Sequence, residues 1–99
     1  MGLVFNGAWS NSCVRCYIAQ PLGAVLIQGG GYNGVVGSTL IASGAGAFSL
    51  FLSATSSNTV TSSVLLNLGG GAASVGAAAD YNLISRSALW GDTGADIAG

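Results

Sequence analysis

The sequence predicts an all-β fold, a small antiparallel β-sandwich or barrel with glycine-rich turns and extended terminal arms. Three observations lead there. Apolar and β-branched runs alternate with glycine-rich punctuation. The runs begin about 10–12 residues apart, the spacing of a small sandwich or barrel. The chain has 99 residues, enough for one domain.

Residues 1–11 read as an N-terminal arm, 12–90 as a β-rich assembly domain and 91–99 as a C-terminal tail. Within the domain, Cys13–Ala19, Gly23–Gln28, Val35–Ala42, Ala47–Ala54 and Thr59–Leu68 read as strands. Glycine, serine and asparagine clusters separate them, and Asn33-Gly34 suits a hairpin turn because both residues tolerate positive φ. Alternation is partial. Phe48, Leu50 and Leu52 share a face, with Phe51 opposite between Ser49 and Ser53. Val64, Leu66 and Leu68 share a face opposite Ser63, Leu65 and Asn67. One face reads as core and the other as mixed, polar without charge. A helix competes at alanine-rich Ala72–Ala79, despite Gly76, and at Tyr81–Leu89.

Charge limits the function. Charged residues are 5% of the chain, against roughly 25% in soluble domains. There is no Lys, Glu or His, and Cys16–Ala79 carries no charge at all. Arg15, Arg86, Asp80, Asp92 and Asp96 hold all of it. Nucleic-acid binding needs several Lys or Arg to neutralise phosphates, so no nucleic-acid partner is expected. A chain with a net charge of −1 and 51% hydrophobic residues is expected to associate. Met1–Asn6 lacks the basic start of a signal peptide, which makes assembly in the cytoplasm the expectation.

Four strings resemble functional motifs. Cys13-Val14-Arg15-Cys16 is a C-x-x-C, but zinc needs about four ligands and no other Cys or His exists. A buried, reduced pair at a strand end is the expected reading. Gly29-x-Gly31-x-x-Gly34 matches a dinucleotide fingerprint in form. Poor helix material follows it, and no acid lies about 20 residues on to hold a ribose. Asp92-Thr93-Gly94-Ala95-Asp96 resembles the D-T-G loop of retroviral-type aspartic proteases. That resemblance would make Asp92 the acid/base and Thr93 the brace, but no chain follows for the rest of such a fold. Val35–Ala54 is uncharged and long enough to span a bilayer as a helix, yet no Lys or Arg flanks it. Ser-His-Asp and Walker chemistries fail for want of His and Lys. The chain is therefore read as no enzyme, with no catalytic residue, metal, cofactor or small-molecule substrate.

The strand–glycine-turn–strand run from Gly23 to Gly71, rich in Ser, Thr, Ala and Gly, resembles the small β-rich head decoration or cement proteins of tailed bacteriophages. The resemblance implies a structural virion protein assembled in the host cytoplasm. Its partners would be further copies of itself, as in a trimer, and a major capsid or shell protein. Phe5, Trp9, Tyr17, Tyr81 and Trp90 are the interface candidates, since aromatics near arm–core junctions make good anchors.

Overall fold

The computed structural model describes residues 2–76, 78–91 and 97–98. It is all-β, but parallel. Among the described residues, thirteen strands wind as a β-solenoid with three strands per coil. The first coil contains β1 (Leu3–Asn6), β2 (Ser12–Val14) and β3 (Tyr17–Ala19). The second contains β4 (Val25–Gln28), β5 (Gly34–Val36) and β6 (Thr39–Ala42). The third contains β7 (Phe48–Ser53), β8 (Thr59–Thr61) and β9 (Val64–Asn67). The fourth contains β10 (Gly71–Val75), β11 (Leu83–Ser85) and β12 (Ala88–Gly91), and β13 (Ile97–Ala98) follows. Three parallel sheets result, in the orders β1-β4-β7-β10-β13, β11-β8-β5-β2 and β12-β9-β6-β3.

The antiparallel sandwich or barrel is thus overturned by strand register. Leu3, Val25, Leu50, Ala73 and Ile97 stack, so the chain repeats every 22 to 25 residues instead of reversing at each turn. The physical reason lies at the corners. Cys13–Ala19, Val35–Ala42 and Thr59–Leu68 each break in the middle, at Arg15, Gly37 and Ser62, whose φ values are 54°, 60° and 53°. One left-handed residue bends an extended chain without reversing it, so the strand passes into the next sheet of the same coil. Asn33-Gly34 makes no hairpin: Asn33 is buried and Gly34 opens β5.

Three left-handed columns run along the solenoid. They are Gly7, Gly29, Ala54 and Ala78; then Ser10, Tyr32, Ser57 and Tyr81; then Arg15, Gly37, Ser62 and Arg86. This conformation costs a non-glycine residue roughly 1–2 kcal/mol. Regular hydrogen bonding offsets it. The Arg15, Gly37 and Ser62 amides donate to carbonyls of the next coil, at Val36, Thr61 and Ser85, over 2.8, 3.0 and 3.2 Å.

Inside, side chains stack like on like. Val25 and Leu50, Ile27 and Leu52, Val35 and Val60, and Leu40 and Leu65 fill adjacent layers at 0–1% exposure. In β9 the mixed face is the buried one. Leu65, Ser63 and Asn67 point in, while Val64 and Leu66 point out. Buried polar groups are tolerable only when bonded, and Asn33, Ser38, Ser49, Thr55, Asn58, Ser63 and Asn67 all have partners. Asn67 Nδ2 donates to Ala47 O (2.6 Å) and Gly71 O (3.0 Å), pinning the approach to β10.

Two further columns bind coil to coil. The Asn11 amide donates to Asn33 Oδ1, Asn33 to Asn58 Oδ1 and Asn58 to Asn82 Oδ1, at 2.9–3.0 Å. The amides of Cys16, Ser38 and Ser63 donate in the same way to the hydroxyls of Ser38, Ser63 and Ser87, at 3.1–3.2 Å. Each column satisfies corner amides that no strand can reach.

The helices that competed at Ala72–Ala79 and Tyr81–Leu89 are absent among the described residues, where β10, β11 and β12 stand instead. Small Ala72 and Ala73 are fully buried, which lets the chain run close to the core. Val35–Ala54 forms most of β5 and all of β6 and β7 around a bend, so the spanning-helix reading fails, and no helix among the described residues is long and apolar enough to cross a membrane. Leu3–Asn6, in the expected arm, pairs along its length with β4.

Asn58 sits mid-column and makes bonds in both directions. We predict that Asn58→Ala lowers unfolding free energy by about 2–3 kcal/mol, by stranding buried partners, while Asn11→Ala at the open end costs well under half as much. Urea titration of both variants checks this, and equal losses would refute a stacking role for the column.

Candidate interaction surface

No catalytic constellation assembles from the described residues. No group of three or more His, Cys, Asp or Glu is placed to hold a metal ion among them. Gly29, Gly30 and Gly31 form a corner and lead into β5, where a nucleotide site would need a helix. Gly30 is there for contact. A Cβ on it would stand 1.9 Å from Ala8 O, so any side chain would drive the first two coils apart. Asp92-Thr93-Gly94-Ala95-Asp96 lies outside the described residues.

Cys13 and Cys16 are joined by a disulfide across the corner that Arg15 turns, in place of the expected reduced pair. The corner explains their closeness: the left-handed residue between them folds two strand ends back toward one another. Their columns differ. Cys13 stacks with Val35 and Val60 in the core, whereas Cys16 takes the place held by Ser38, Ser63 and Ser87 in the coils that follow.

The five aromatic candidates separate in space. Phe5 is 8% exposed and belongs to the core, where it stacks on Ile27. It therefore offers nothing to a partner. Trp9 packs against Tyr32 at one corner, with ring centroids 6.2 Å apart. Tyr81 is exposed at that corner's far end, in the left-handed column of Tyr32.

Tyr17 and Trp90 share one surface, the outer face of the β3-β6-β9-β12 sheet. Its two outward columns are Tyr17, Thr39, Val64 and Ala88, and Ala19, Ile41, Leu66 and Trp90. Tyr17 is 71% exposed, Trp90 64% and Val64 40%. The array carries no charge and only one side-chain hydroxyl besides that of Tyr17. Leu66 and Trp90, with Leu68 beyond, line a shallow groove at one margin. Sequence reading found its two corner aromatics. It missed Ile41, Val64 and Leu66, because only the parallel register turns residues 22 to 25 apart into one surface.

Both cysteine variants lose the same disulfide, so their difference isolates the two positions. We predict that Cys13→Ser is less stable than Cys16→Ser by about 1–2 kcal/mol, because only the former puts a hydroxyl into an apolar column. Thermal unfolding of the two side by side decides it, and the reverse order would contradict the column assignment. No protein-family model, curated protein or solved structure matches this chain.

Proposed function

We propose that the chain is a structural subunit that works by contact: a rigid solenoid that packs the outer face of β3-β6-β9-β12 against a neighbouring subunit. The observation that carries this is the flat, uncharged array from Tyr17 to Trp90. Exposed aromatic and aliphatic side chains on a rigid sheet can be covered with little loss of side-chain freedom and no desolvation of ions.

Size bears on the setting. Four strands about 4.8 Å apart, presenting two residues each, cover a few hundred Å². A standard interface buries about 800 Å² per partner. One such face gives a modest contact by itself, and modest contacts hold firmly when many act together. A shell built of repeated subunits meets that condition. A place on a virion surface, as a subunit that stabilises a capsid alongside copies of itself, is the form of this role we propose. The scarcity of acids and bases in the chain points the same way.

Trp90 is the test. We predict that Trp90→Ala weakens association about 10-fold or more, in keeping with a buried aromatic anchor, while its melting temperature stays close to that of the parent. Sedimentation equilibrium alongside circular dichroism measures both. A folded Trp90→Ala protein that associates as the parent does would sink the proposal. Electron microscopy of the native source material then asks whether the chain sits on a shell.

A further inference from the structure

Cys13 and Cys16 close the corner at Arg15 with a covalent bond, yet this kind of corner forms without one. The corners at Gly37, Ser62 and Arg86 have the same left-handed bend and no cysteine beside them. Val35, Val60 and Ile84 stand in the place of Cys13, and Ser38, Ser63 and Ser87 in the place of Cys16. The neighbouring coil holds the first corner in shape. The Arg15 amide donates to Val36 O over 2.8 Å, and the Cys16 amide to Ser38 Oγ over 3.1 Å. Neither bond uses a cysteine sulfur. Both persist if the disulfide opens, and they keep the two Cα atoms near their present 6.1 Å, within reach of reclosure.

The serine column also explains why a sulfur can stand at position 16. Ser38, Ser63 and Ser87 each accept the amide of the coil before them. Among the described residues no coil precedes the first, so the Cys16 side chain has no such amide to serve. Its sulfur is free for other chemistry. The two cysteines differ in access. Cys13 is 3% exposed and packs in the core, whereas Cys16 is partly exposed beside the open Tyr17 ring. A thiolate arriving from solvent therefore meets Cys16. Cys13 Sγ has one polar neighbour, the Ser38 hydroxyl at 4.0 Å, which can donate to it.

We propose that Cys13 and Cys16 form a thiol–disulfide exchange site on this preformed corner, with Cys16 as the sulfur that low-molecular-weight thiols attack. An incoming thiolate bonds to Cys16 Sγ as the Cys13–Cys16 bond breaks, and the electron pair leaves on Cys13 Sγ, which takes a proton from water. A second thiolate then attacks the sulfur of the first in the mixed disulfide. Cys16 departs as a thiolate, and the two small thiols leave joined as a disulfide. The protein gains two electrons and two small thiols lose them. Run backwards with a small disulfide as oxidant, the same steps close the bond. Both directions proceed in the folded chain, and the site stands whether or not the β3-β6-β9-β12 face binds a partner.

The experiment uses the full chain and glutathione, reduced and oxidised, as the probe. The parent should pass to the dithiol in reduced glutathione and return to the disulfide in oxidised glutathione, with its circular dichroism unchanged throughout. Samples quenched in acid during the exchange are cut with trypsin after Arg15, which separates the two cysteines for mass spectrometry. Glutathione should be found on Cys16 at least about 10-fold more often than on Cys13, since reactivity follows access. Cys13→Val and Cys16→Ser install the residues that the next coil carries at those places. Oxidised glutathione should cap Cys16 in the first variant at least about 10-fold faster than Cys13 in the second. If either variant fails to fold, the mapping of the parent decides by itself. The proposal is overturned by a bond that stays closed in reduced glutathione, by loss of folded structure on reduction or by a folded dithiol that does not reclose. Capping of Cys13 as fast as Cys16 would equally sink it.

Discussion

Everything in this molecule depends on layers about 4.8 Å apart that must repeat the same chemistry. A residue in a coil sits on its counterpart from the coil before and under its counterpart from the coil after. Apolar groups gain from this arrangement, since Val35 on Val60 and Leu40 on Leu65 exclude water from both sides. Amides gain as well, because an asparagine under an asparagine can accept the hydrogen bond of a corner that turns away from its sheet. Charges lose, since like charges one layer apart repel with little water between them.

That constraint bears on the composition. An uncharged stretch from Cys16 to Ala79 can be read as surface for a neighbour, the role proposed above for the open, apolar array between Tyr17 and Trp90. Another part is internal logic. The second and third coils have a layer on each side, and a charge repeated in their columns would meet itself. Among the described residues, the arginines stand where one layer adjoins them. Composition thus reports the packing principle of the coils.

The left-handed corners show how few residues decide the topology. Expected strands such as Val35–Ala42 carry the right residues for extended chain, and most of those residues are extended. What separates a sandwich from a solenoid is a single bend within each, at Gly37 in this case. Serine and arginine hold the same conformation at Ser62 and Arg15, residues with no intrinsic preference for it. Their amide bonds to the next coil make the difference, and those bonds exist only once the coils have stacked. For that reason the corners were poorly legible: glycine marked some columns, and Arg15 or Ser62 marked nothing. The repeat was obscured for a related reason, since its spacing varies between 22 and 25 residues and is held by scattered Asn and Ser positions.

By itself the sequence determined that the chain is all-β, built of short strands with polar punctuation, and poor in the groups that ordinary catalysis requires. It also singled out Tyr17 and Trp90, together with Phe5, Trp9 and Tyr81, as interface candidates, on their place near the arm–core junctions. Strand direction, the inward turn of Ser63 and Asn67, the placing of Phe5 in the core and the joining of Tyr17 to Trp90 across one sheet were decided only by tertiary structure. Each of these follows from pairing between residues more than twenty positions apart. Local preference is blind to such pairing, because the same alternating run can lie parallel or antiparallel until a neighbouring coil satisfies its corner amides.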